Sequence, residues 1–123
     1  MSKWSKDELR NIAAADDLHI SPFREDGKTY GTPTWIWSVA VGDSIYVRPY
    51  NGKKSRWFQA AVAQKKGRII AAGMTREVDF EQVTGSINEL VDDAYRAKYG
   101  SSPYVATMIG EPVRSVTVKI MPQ

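Results

Sequence analysis

Arg48, Lys53, Lys54 and Arg56 place four cations within nine residues, on a segment that reads Arg48-Pro49-Tyr50-Asn51-Gly52-Lys53-Lys54-Ser55-Arg56 and runs into Trp57. Gly52 gives that segment backbone freedom. It empties into a predicted helix start, whose free N–H groups and positive dipole end favour an anion. A phosphate is the fitting ligand. Arg suits bidentate phosphate binding better than Lys, so Arg48 and Arg56 come first, with Asn51, Lys53, Lys54 and Ser55 beside them. The spacing is not that of a P-loop, which needs Gly-x4-Gly-Lys-Ser/Thr. Tyr50 and Trp57 flank the segment and are placed to wall a flat, mostly apolar slot. The competing account is a solvated basic hairpin end.

Two other groups of residues have simpler explanations. Trp35 and Trp37 share a strand face with Val39 and Val41, the pattern of a core or a dimer interface. Asp92, Asp93, Tyr95, Arg96, Lys98 and Tyr99 cluster on a predicted helix, with Asp92 and Arg96 in the favourable acid-first order four apart. Packing of that helix on the sheet explains them. His19 follows Asp16 and Asp17, but no Ser is placed near it as a nucleophile, so it reads as a structural or surface side chain.

These groups must be positioned by a small set of elements. Ser5 and Glu8 form a capping box, with Trp4 and Leu9 as its hydrophobic staple, and predict a helix from Lys6 to about Ala15. Strands are expected at 19–24, 34–41 and 44–50. Gly42-Asp43 joins the last two through a turn with a positive backbone angle at its first central residue. The Ala-rich stretch 57–66 predicts a short helix stopped by Gly67. Two strands follow around Gly73. Ser86 and Glu89 predict a second capping box, on a helix that ends near Gly100 and Pro103. A last strand covers 113–121. Six strands, a long hairpin and peripheral helices favour an α+β fold with an antiparallel sheet curled into a small barrel.

Composition bounds the chemistry. The chain has 123 residues, 17 Lys+Arg against 14 Asp+Glu, one His and no Cys. That is one domain, 1–123, long enough to bury a core. No thiolate chemistry, disulfide or iron–sulfur cluster is open to it, and no metal site is expected. A net charge of +3 suits an anionic ligand but argues poorly for nucleic acid. No targeting or membrane-spanning segment is visible from Met1-Ser2-Lys3 onward, and the expectation is a soluble, cytoplasmic protein.

The stretch Asp26-Gly27, Thr32-Pro33-Thr34-Trp35-Ile36-Trp37, Val41-Gly42-Asp43, Tyr46-Val47-Arg48, Tyr50-Asn51-Gly52 and Trp57 resembles bacterial domain-of-unknown-function family 2255. The resemblance continues through Gly67-Arg68-Ile69 and Asp92-Ala94-Tyr95-Arg96-Lys98-Tyr99-Gly100 and covers nearly the whole chain after Ser5. A looser resemblance is to the deazaflavin-dependent nitroreductases of the FMN-binding split-barrel superfamily. It implies a six-stranded antiparallel split β-barrel with peripheral helices, a homodimer, and FMN or the deazaflavin coenzyme as cofactor. It also implies an oxidoreductase, and it draws Tyr95, Tyr99 and Tyr104 toward the substrate pocket. This sequence departs from the nitroreductases in a shorter segment between Asn51-Gly52 and Trp57, with only Arg24 and Lys28 as a basic run before Pro33. The alternative is a non-catalytic small-ligand-binding or interaction module that has lost the flavin and binds no cofactor.

Overall fold

The computed structural model describes residues 3–123; Met1 and Ser2, the start of the N-terminal stretch read above, lie outside the described residues. The elements, in chain order, are α1 (Lys6–Ala14), β1 (His19–Pro22), β2 (Thr34–Trp35), β3 (Ser38–Val41), β4 (Ser44–Val47), α2 (Arg56–Gln64), β5 (Lys66–Ala71), β6 (Met74–Gln82), α3 (Ile87–Tyr99), α4 (Val105–Met108) and β7 (Val118–Pro122). Short 3-10 turns at Gly52–Lys54 and Val113–Val116 complete them. The architecture is α+β. Seven antiparallel strands, in the order β2-β1-β5-β6-β7-β4-β3, form a sheet curled into a half-barrel with helices against it.

The expected six strands are seven because the run 34–41 is not one strand. Thr34 and Trp35 pair with Ile20 and His19 of β1. Ile36 still donates its N–H to the Leu18 carbonyl. Two residues later Ser38 pairs with Val47 of β4, at the opposite edge of the sheet. Ile36-Trp37 therefore crosses from one edge to the other and draws the two edges together. Trp35 and Trp37 do not share a core-facing strand surface: Trp35 is 52% exposed. The last strand also starts later than expected, because Val113–Val116 turns in a 3-10 helix.

Local chemistry explains most boundaries. At α1 the Glu8 N–H donates to Ser5 Oγ, and the Ser5 N–H donates to Glu8 Oε1, each at 3.0 Å. Trp4 is buried and its indole N–H donates to the Ile120 carbonyl. Gly42 has φ +58 and joins Val41 to Ser44, as the hairpin expectation requires. The second capping box does not form: Ser86 is helical, with no side-chain cap. Gly67 does not stop α2 either. The helix ends at Gln64, with Lys65 in the left-handed region as its cap, and Gly67 lies inside β5. A Cβ on Gly67 would come within 2.6 Å of Pro22 Cα and the Ser21 carbonyl oxygen, so glycine there permits the close approach of β5 to β1.

Apolar burial divides into two clusters. One fills the curled sheet: Ile20, Ile45, Ile69, Val78, Val118 and Ile120 meet Ile12 of α1 and Trp57, Phe58 and Ala61 of α2. The other seats α3 against β3 and β4 through Val39, Tyr46, Val91, Tyr95 and Tyr99, with Val105, Met108 and Val113 beyond. None of the described helices is long and apolar enough to cross a membrane.

Candidate functional site

A cleft of about 870 Å³ opens beside the crossing at Ile36-Trp37. One wall is the predicted basic segment: Tyr50, Asn51, Ser55, Arg56 and Trp57 line it, and Arg48 reaches it from just beyond the end of β4. Thr34, Trp35, Ile36 and Trp37 form a second wall, and Lys98, Tyr99, Ser101, Ser102, Tyr104 and Met108 form a third. The structure thus brings together six of the eight residues expected at the site. Lys53 and Lys54 are exposed and do not line the cleft.

The basic segment is built by two small turns. Gly52, at φ +68, donates its N–H to the Pro49 carbonyl, and the Ser55 N–H donates to the Gly52 carbonyl. Helix α2 then begins at Arg56, with Ser55 extended and its side chain making no cap bond. The first intrahelical bond runs from the Gln59 N–H to the Ser55 carbonyl, so the N–H groups of Arg56, Trp57 and Phe58 precede it. Arg56 is exposed and free to turn toward a ligand, while Trp57 is buried at the wall.

Arg48 has a different task from the one its sequence context suggests. It is 1% exposed. Its Nε donates to Thr117 Oγ1 at 2.9 Å and its Nη1 to Asp92 Oδ1 at 2.5 Å and the Met108 carbonyl at 2.9 Å. Nη2 donates to the carbonyl and Oδ1 of Asn88, both at 3.2 Å. A guanidinium has five N–H donors, and all are spent. As a direct phosphate ligand Arg48 is therefore withdrawn. It is an anchor that ties β4 to α3 and α4 beneath the cleft. Asp92 completes the anchor by accepting from Arg114 at 2.9 Å. The expected Asp92–Arg96 pair is replaced by Asp93–Arg96 on the helix surface.

The aromatic surfaces are ordered among themselves. Trp37 stacks on Tyr99 with ring centroids 4.1 Å apart and planes 2° from parallel. Tyr99 Oη accepts from the Ser38 N–H and donates to the Ser38 carbonyl; burial first, and then nearby Asp16, push its pKa up to about 12. Tyr50 and Tyr104 meet edge to face at 5.8 Å, both exposed. The Trp35 indole N–H donates to the Asp16 carbonyl at 2.8 Å. Tyr95 is fully buried, does not line the cleft, and has its phenol pushed up by that burial. His19 Nδ1 lies 2.9 Å from the Asp17 carbonyl and takes no part in the cleft.

Sequence reasoning missed Asp16 and Met108, and assigned Trp35, Trp37 and Lys98 to packing or to a helix end. Nothing local marks them, because they converge only when Ile36-Trp37 crosses between the sheet edges.

Half-barrel and cleft together define a small α+β protein with an aromatic, cation-bearing cleft. The chain belongs to the family of uncharacterised proteins conserved in bacteria, DUF2255, which matches residues 8–120. No curated protein matches it.

Proposed function

We propose that the cleft binds a planar, phosphorylated cofactor of the FMN or deazaflavin class, in a homodimeric oxidoreductase. The reading is carried by one convergence: Arg56 and the open first turn of α2 share a cleft with three tryptophans and Tyr99. Cation and helix N-terminus together suit a phosphate. Trp35, Trp37 and Trp57 suit a flat ring. A curled antiparallel sheet is compatible with the split barrel that the nitroreductase resemblance implies. When bound, such a cofactor supplies the hydride chemistry; the protein binds and orients it.

The residues fit the phosphate end of such a group better than its ring. Trp37 and Tyr99 are already in contact with each other, so a ring would have to lie on them and not between them. That contact favours, as a second reading, a ligand-binding module that has lost the flavin.

Tryptophan fluorescence tests both, since three of the four tryptophans line the cleft. FMN and the deazaflavin coenzyme are titrated in turn, with riboflavin as the unphosphorylated control. FMN is expected to quench and to bind at least about tenfold tighter than riboflavin, one charged hydrogen bond being worth roughly 1.5–3 kcal/mol. Arg56→Ala is expected to remove the difference. Absence of quenching by either coenzyme would transfer support to the flavin-free module.

A further inference from the structure

We infer that Lys98 is the anion-recognising group at the α3 end of the cleft, and that the ligand taken there is a planar organic acid whose carboxylate meets the Lys98 ammonium while its ring lies on the aromatic wall. This rests on the cleft's being a ligand site, as proposed above, but not on the phosphate end. Lys98 is half-buried and lines the cleft with Trp37 and Tyr99. Its Nζ donates to the Ser38 carbonyl at 2.7 Å. An ammonium has three N–H donors, so two remain. Nζ also lies 5.2 Å from the centroid of the Tyr99 ring.

No carboxylate pairs with Lys98 among the described residues. Burial pushes its pKa down, and Asp16 and Asp17 offset this only from a distance. A partly desolvated ammonium with a single backbone partner is costly to hold, and a bound carboxylate supplies the missing partner in charge-assisted form. Asp16, which also lines the cleft, and Asp17 oppose a second anion, so the contact with Lys98 must outweigh them. The aromatic wall limits the acid to flat molecules: stacked Trp37 and Tyr99 present a planar surface beside the amine.

Calorimetric titration with 2-naphthoate and its neutral counterpart 2-naphthamide isolates the carboxylate. The parent protein is expected to prefer naphthoate by roughly tenfold to a hundredfold, the value of one charged hydrogen bond. Lys98→Met is expected to abolish that preference while leaving naphthamide affinity in place, and Lys98→Arg to retain most of it. Arg56→Ala is expected to keep it. Equal binding of the two probes by the parent, binding of neither, or a preference that survives Lys98→Met or disappears in Arg56→Ala would overturn the inference. Discrimination between FMN and riboflavin follows Arg56, so the cofactor reading and the Lys98 reading fail separately.

Discussion

Arg48 shows at the residue scale how far side-chain chemistry can be read without a fold. Its place in a basic run suggested a phosphate ligand, yet all five of its hydrogen bonds go to residues 40 or more positions away. No local pattern announces such partners. Breaking a buried ion pair from one side leaves an uncompensated charge, at about 3–5 kcal/mol. Asp92→Asn and Arg48→Met are each expected to lower the melting temperature by roughly 10 °C or more. The double variant Arg48→Met/Asp92→Leu should recover part of that loss, because no fully buried charge is then stranded: Arg114, which also loses Asp92, is partly exposed and keeps Glu111 nearby. Thermal melts followed by circular dichroism decide it, and small, additive losses would show that the pair is solvated. Asp26, by contrast, stands in Glu25-Asp26-Gly27-Lys28, a composition that by itself signals a turn. It accepts from the Thr29 hydroxyl and from the N–H groups of Thr29 and Lys28. The Thr29 hydroxyl, then those amides, lower its pKa from 3.8 to about 2. A depressed folded pKa means that the contribution of this turn is complete above the unfolded value and is lost as pH falls through the folded one. An NMR titration of the Asp26 carboxyl carbon is expected to have its midpoint near 2, and Thr29→Ala is expected to raise that midpoint. A midpoint near the ordinary value in the parent would mean that the turn is open in solution.

Elements were legible where the signal is local and in doubt where it needs a neighbour. Ser5 and Ser86 stand in the same sequence pattern, three residues before a Glu. Only Ser5 takes the extended backbone that lets its hydroxyl reach the N–H of the third helical residue; Ser86 sits at φ −63, ψ −20, already helical. The preceding chain decides this, since Gly85 at φ +95 turns it into α3 a residue early. Ser5→Ala is therefore expected to cost about 1 kcal/mol. Ser86→Ala should change stability by no more than an ordinary surface substitution, within about 0.5 kcal/mol. Equal losses in urea denaturation would show that Ser86 caps after all. The run 34–41 makes the same point for strands. Its alternation is continuous, but alternation records which face a side chain takes, not which strand lies alongside. The switch of partner at Ile36-Trp37 has no signature in the pattern, and the cleft beside it was hidden for the same reason.

The two outer strands of the sheet, β2 and β3, are separated in sequence by Ile36 and Trp37 alone. Exposed sheet edges are the usual route to pairing between copies, but neither edge here offers much. β2 has two residues. At the start of β3, the Ser38 N–H and carbonyl are taken by Tyr99 and Lys98. For the proposed dimer, the second copy is expected at the cleft mouth, where Trp35, Tyr50 and Tyr104 are 52%, 46% and 57% exposed. Large aromatics anchor interfaces because they bury much area for little lost side-chain freedom. The proposed dimer is accordingly expected to be two-fold symmetric, to bury more than about 1,000 Å² in total, and to cover these rings. Light scattering at high micromolar concentration should give twice the mass of the chain. Trp35→Glu and Tyr104→Glu should each reduce it to the mass of one chain without unfolding, since both side chains are exposed in the isolated protein. Because the same rings frame the cleft, the charge variants should also weaken binding of a planar ligand, whereas dissociation by dilution should weaken it only if the partner copy closes the site. A parent that scatters as a single chain at every concentration would remove the dimer, and the exposed aromatics would then be left to the ligand alone.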